Sequence, residues 1–153
     1  MSKKLIRTGI IISLLILSAI TLTCLSAAEY NSQNDNITLK ITVNGTQFNA
    51  TLIDNPTSRD FITMLPLSIE FKDLYHREKY APLSRSLNED TPKINNYEVG
   101  LLAYYPPSHD VVIYYAQDNE QIPGGIIELA RIEGDNLDVF KGDNLGNITI
   151  ELS

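Results

Sequence analysis

Residues 97–133, YEVGLLAYYPPSHDVVIYYAQDNEQIPGGIIELARIE, carry the reading that decides the fold. Three apolar runs, 101–105, 111–116 and 126–132, are rich in β-branched and aromatic residues, and PPSHD and QDNEQIPGG divide them. Each run is bounded by turn chemistry and is too short to prefer helix, so the stretch predicts three sequential antiparallel strands. No residue set within it spells out a reaction.

Outward from this centre the strand pattern continues. Leu39, Ile41 and Val43 alternate with Lys40 and Thr42, Asn44-Gly45 supplies the positive φ angles of a two-residue turn, and Phe48, Ala50 and Leu52 alternate on the return. Asn55 is placed to cap a helix near 56–65 that begins on Pro56 and carries Phe61, Ile62, Met64 and Leu65 as its apolar stripe. Pro66 ends it, and Leu67, Ile69 and Phe71 open a third strand. Over 73–96 the periodicity disappears. A connection of that length is expected to be functional or mobile, with Tyr80 and Leu83 pinning it to the domain. Beyond the central strands, 136–141 predicts a helical turn packing Leu137 and Phe140. Ile148, Ile150 and Leu152 then form a closing strand that pairs with the first. Seven short strands, one helix and no βαβ spacing argue for an antiparallel barrel or sandwich.

The N-terminus reads differently. Lys3, Lys4 and Arg7 precede an uncharged run over 8–28 that ends in Ser26-Ala27-Ala28. This is the layout of a signal peptide, and the run is also long enough to serve as an N-terminal membrane anchor. Both readings export the remainder, because the positive charges stay on the cytoplasmic side. Residues 1–28 are therefore leader or anchor, 29–36 a polar linker and 37–153 the domain. Cys24 is the single cysteine. Thr21-Leu22-Thr23 before it is a poor lipobox, and the domain is expected to use neither disulfide nor thiol chemistry. Without the three leader cations, 9 basic residues face 19 acidic ones, a formal charge of −10. Such a balance disfavours nucleic acid and leaves the membrane a role only through the N-terminal segment.

The order of these pieces carries a resemblance. An Asn-Gly hairpin, NPTSRDF, LPLSIEF, EKYAPL, GLLAYYPPSHDVVIYY and GIIELARIEGD together resemble the small prokaryotic cyclophilin-like domain family over 39–152. The resemblance implies a closed eight-stranded antiparallel cyclophilin-like β-barrel. Gly100 is followed by Leu101 where the family usually has aspartate, and Ala130 stands where its later strand has glycine.

The fold name raises prolyl isomerisation, whose barrier comes from amide resonance and is lowered by an apolar proline pocket and an arginine aimed at the twisted amide. The segments that carry this chemistry in true cyclophilins are missing, and the chain has no tryptophan. Arg131 is the candidate that remains. If Leu129 faces the interior, period two turns Arg131 the same way, with Glu78 or Glu98 as its carboxylate partner. The alternatives are an ion pair tying the long loop to the sheet, or an exposed Arg131 beyond a bulge. Tyr80, Tyr104 and Tyr114 combine apolar rings with polar tips and suit a ligand groove, or else cover the barrel ends. His76 and His109 have no metal-ligand spacing, and no cofactor is expected. Asn36, Asn44, Asn49 and Asn147 each begin a glycosylation sequon. The expected function is an exported, non-catalytic peptide- or small-ligand-binding module. The alternative is a divergent peptidyl-prolyl cis-trans isomerase.

Overall fold

The computed structural model describes residues 36–134, 136–143 and 145–153. The leader or anchor expected over 1–28 and most of the linker lie outside the described residues. Among the described residues no helix is long and apolar enough to cross a membrane.

Nine strands form one antiparallel sheet: β1 (Thr38–Val43), β2 (Thr46–Leu52), β3 (Leu67–Glu70), β4 (Lys72–Leu74), β5 (Glu78–Pro82), β6 (Leu101–Tyr105), β7 (Asp110–Tyr114), β8 (Ile127–Ile132) and β9 (Asn147–Leu152). Their order across the sheet is β3-β9-β1-β2-β8-β6-β7-β5-β4. The expected hairpin forms as read. Asn44 and Gly45 take φ of 49° and 77°, and Val43 faces Thr46. The last strand pairs with the first, Ile41 opposite Ile150, as the barrel requires. Asn36, Asn44, Asn49 and Asn147 are all exposed, on or beside β1, β2 and β9.

The helix α1 (Pro56–Ile62) starts where the sequence places it. The Asn55 side chain accepts the Ser58 N–H at 2.8 Å, and Ser58 Oγ accepts the Asn55 N–H at 3.1 Å, which satisfies two of the donors a helix start leaves open. It buries Phe61 and ends earlier than the expected 65. A short 3₁₀ turn (Asp138–Lys141) buries Phe140 in the interior.

The two edges of the sheet, β3 and β4, are consecutive in the chain and separated only by Phe71. Leu67, Ile69, Phe71 and Asp73 are more buried than the residues between them, so 67–74 behaves as one strand with one inward face. Its first half pairs with β9 and its second with β5, which brings the two edges of the sheet together. Counted this way, the strands number the eight that the resemblance implies.

The stretch 73–96 is therefore not the unstructured loop its sequence suggests. β4 ends and β5 lies within it. The reason it escaped a pattern reading is Lys79, which occupies an inward position opposite Asp73 and Ile113 and is 1% exposed. Lys79 Nζ lies 2.8 Å from the Asp73 carboxylate and donates to the Gly142 carbonyl at 2.9 Å. The Tyr115 hydroxyl donates to Asp73 at 2.5 Å. Burial acts to raise the Asp73 carboxyl, but the bonds from Lys79 and Tyr115 outweigh it and hold Asp73 below the usual carboxylate range. The rest of the stretch is also tied down. Leu83 and Leu87 are in the core, Arg85 grips Asp60 through two bonds, and Thr91 bonds Thr57.

Two apolar clusters result. One fills the barrel and includes Ile41, Phe61, Tyr104, Ile113, Phe140 and Ile150. The other lies on the outer face of β6, β7 and β5, where residues 94–97 and 122–126 cover Leu101, Ala103, Val112 and Tyr114. That cover is close-fitting, since a Cβ on Gly125 would come within 2.9 Å of Lys93 Cβ. In urea unfolding, Lys79→Met is expected to lower stability by about 3 kcal/mol, because it leaves the Asp73 carboxylate buried without its cation. Adding Asp73→Asn should restore part of that loss; a double variant no more stable than Lys79→Met would show that the ion pair does not carry it.

Candidate functional site

The outer face of β5 and β7 holds a concavity of about 370 Å³. Strand period fixes what points into it. Glu78 and Tyr80 on β5 stand opposite Tyr114 and Val112 on β7, so all four share the outward face. Asp110 lies on that face too, next to Tyr105 of β6. Tyr75 and Arg77 enter from the β4–β5 turn, and Ile122 and Pro123 form the opposite wall.

A polar network underlies one end. Arg77, 8% exposed, donates to Glu78 at 3.2 Å and to Asp118 at 2.7 Å. The Tyr97 hydroxyl donates to Asp118 at 2.8 Å, while the Tyr97 ring stacks on Tyr114 with centroids 4.1 Å apart. The guanidinium also sits 5.1 Å from the Tyr75 ring centroid and 5.7 Å from that of Tyr97. Burial pushes the Glu78 carboxyl above its ordinary value, and Arg77 and the Tyr114 hydroxyl offset this only in part. Burial, reinforced by the Glu78 charge, pushes the Tyr114 hydroxyl up, so it remains a donor.

A second, more open concavity of about 550 Å³ lies around Arg131. Arg131 donates to Glu98 at 2.8 Å and to Glu128 at 2.9 Å. Its side chain is 38% exposed. Among the described residues no group of three or more His, Cys, Asp or Glu side chains could hold a metal ion.

The sequence profile of the cyclophilin-like family matches residues 41–152. The chain belongs to the cyclophilin-like family. Among solved structures it is similar to that of a hypothetical protein from Archaeoglobus fulgidus, at a TM-score of 0.56 and 16% identity, covering 77% of this chain and 95% of the other. That likeness is one of fold. No curated protein matches the chain.

In this cyclophilin-like domain the expected site residues separate into three places. Glu78, Tyr80 and Tyr114 come together in the 370 Å³ concavity. Tyr104 does not join them: it points inward, its hydroxyl accepts the Leu87 N–H at 3.3 Å, and it belongs to the barrel core. Arg131 does not face the interior, and it does not meet Glu78. The reason is a bulge in β8. Leu102 pairs with Ala130 and Ala103 with Glu128, which leaves Leu129 as an extra residue. Ala130 and Ile132 thereby take the inward positions opposite Leu52 and Ala50, and Arg131 turns outward. Glu98, the other carboxylate proposed for it, is the one it binds. β6 and β7 stand between β8 and β5, so Glu78 is three strands away.

Residue-pattern reasoning passed over Arg77, Tyr97 and Asp118. Tyr97 is the one aromatic residue between Ala81 and Ala103, a signal that marked it. Arg77, between His76 and Glu78 in a polar turn, offered none.

This geometry sets two expected outcomes. Glu78→Arg and Arg131→Glu should destabilise the domain independently, their effects adding to within about 0.5 kcal/mol in a double-mutant cycle; a larger coupling would place them in contact. The second concerns pH. Glu78 has a folded pKa above its ordinary 4.5, so the folded state holds the proton more tightly than the unfolded one. Stability from this group is present at low pH and is lost as pH rises from 4.5 through the raised folded value. Glu78→Gln should remove that slope from urea midpoints measured across the window, and an unchanged slope would assign it elsewhere.

Proposed function

We propose that this cyclophilin-like domain is an exported, non-catalytic module that binds a peptide or small ligand in the concavity on the outer face of β5 and β7. The observation that carries the reading is the convergence there of Glu78, Tyr80, Tyr105 and Tyr114 on one rigid face, walled by Ile122 and Pro123. A concave, largely apolar site with a few placed polar groups is the common form of a ligand pocket. Export is supported by the charge layout of residues 1–28.

The isomerase alternative needs an arginine free to meet a twisted amide beside an apolar pocket. Arg131 is engaged by Glu98 and Glu128, and the groups around it include Asn95, Asn96 and Gln121. Arg77 is engaged in the same way by Glu78 and Asp118. Neither guanidinium is free to meet an amide.

Binding is tested by titrating isotope-labelled protein with short proline-containing, basic and acidic peptides. Amide shifts are expected to gather on β5, β7 and residues 122–123; shifts confined to other strands would move the site. In a coupled isomerisation assay on a short X-Pro peptide, no acceleration above the spontaneous rate is expected. Acceleration that disappears in Arg131→Ala would overturn the non-catalytic reading. Cell fractionation checks export, with the protein expected outside the cytoplasm.

A further inference from the structure

If the concavity on β5 and β7 is a binding site, as proposed, its chemistry is specific enough to select a class of ligand, and the inference rests on that reading. Four tyrosines, 75, 80, 105 and 114, line it. So do two carboxylates, Glu78 and Asp110, and a single cationic side chain, Arg77. That cation is already spent. Its guanidinium is bonded to Glu78 and to Asp118, is nearly buried, and lies against the Tyr75 and Tyr97 rings. Glu78 and Asp118 share that one positive group while Asp110 stands apart from it, so the surplus is negative. Asp110 accepts the Ser108 hydroxyl and has no cationic partner among the described residues.

These features exclude other classes in turn. An anion would meet Glu78 and Asp110 with no free positive group to hold it. A neutral apolar ligand would strip water from the same two carboxylates and return nothing to them. A bare metal ion would need the carboxylates close together, but Glu78 stands opposite Tyr114 and Asp110 opposite Pro82. They are thus four residues apart along β7, about 13 Å of strand. Between them lie Val112 and Tyr80, an apolar strip with an aromatic ring beside it.

An organic cation fits what remains. Tyrosine faces attract a cation through the ring quadrupole, and alkylated ammonium groups gain most because they lose little hydration on entering. The chain supplies its own precedent in Arg77, whose guanidinium rests 5.1 Å from the Tyr75 centroid. We infer that this concavity binds an alkylated or quaternary ammonium group, its charge facing one of the two carboxylates and its apolar body on Tyr80 and Val112.

The test uses isotope-labelled full-length protein and three probes: choline, its uncharged isostere 3,3-dimethylbutan-1-ol, and acetate. Choline is expected to shift amides on β5, β7 and residues 122–123, and to bind roughly tenfold or more tightly than the isostere. Tyr80→Ala should weaken choline several-fold while leaving the remaining amide spectrum folded, and Glu78→Gln should narrow the gap between choline and the isostere. Equal binding of the isostere, or tighter binding of acetate, would overturn the cationic class while leaving a binding site in place. If none of the three shifts these residues but the acidic or the uncharged proline-containing peptide does, the cationic class falls alone. If nothing shifts them, the binding reading falls as well.

Discussion

A sheet of this length has two edges, and here one extended segment, residues 67–74, carries both. Four of its residues pair with β9 and three with β5, so the segment brings both edges to one corner of the chain at Phe71. An unpaired edge would expose backbone donors and acceptors to other chains, and joining the edges at one corner limits that liability. The inward face of the segment runs Leu67, Ile69, Phe71, Asp73, so the last inward position before the turn is a carboxylate. That carboxylate obliges Lys79 to enter the barrel opposite it. The Gly142 carbonyl and Tyr115 complete the set, so the apolar interior ends on a satisfied ionic pair.

With the interior filled, the outer face of β6, β7 and β5 still carries Leu101, Ala103, Val112 and Tyr114, and these need cover. Residues 94–97 and 122–126 provide it, held by the Ile94–Ile126 bridge and by Asn95 bonding the Ile122 carbonyl at 2.9 Å. The cover stops short of β5. The concavity lies at its margin, with Val112, Tyr114 and Ile122 shared between the two. Its position is thus a consequence of how far the second layer extends, and its floor is as rigid as the sheet beneath it.

Much of this was legible in the residues. Alternation located four strands, short apolar runs between turns located the central three, Asn44-Gly45 located the hairpin, and Asn55-Pro56 located the helix start, because each depends only on neighbours in sequence. The missing strand was hidden by Lys79, since an inward lysine looks like an outward one until Asp73 is placed opposite it. Arg131 would face inward only if Leu129 set the phase of its strand, and the alternative of an exposed Arg131 beyond a bulge is what the structure shows. Period two is a sound rule until a bulge adds a residue, and Leu129 is as apolar as its neighbours, so nothing local announces the shift. Tyr104 and Tyr105, like Tyr114 and Tyr115, do point to opposite faces, but which member faces inward was set by the long-range pairing of β6 with β7 and β8. The site itself was half visible: Glu78, Tyr80 and Tyr114 were singled out, yet Arg131 was placed with them and Arg77 was not.

The pairing of β1 with β9 has a geometric consequence. The Ser153 N–H donates to the Thr38 carbonyl at 3.0 Å, so the chain enters and leaves the barrel at a single point. With 67–74 taken as one strand, β7 lies four strands from β1 in either direction around the ring. The two ends of the described domain, residues 38 and 153, therefore lie on the opposite side of the barrel from the outer tyrosine face of β5 and β7.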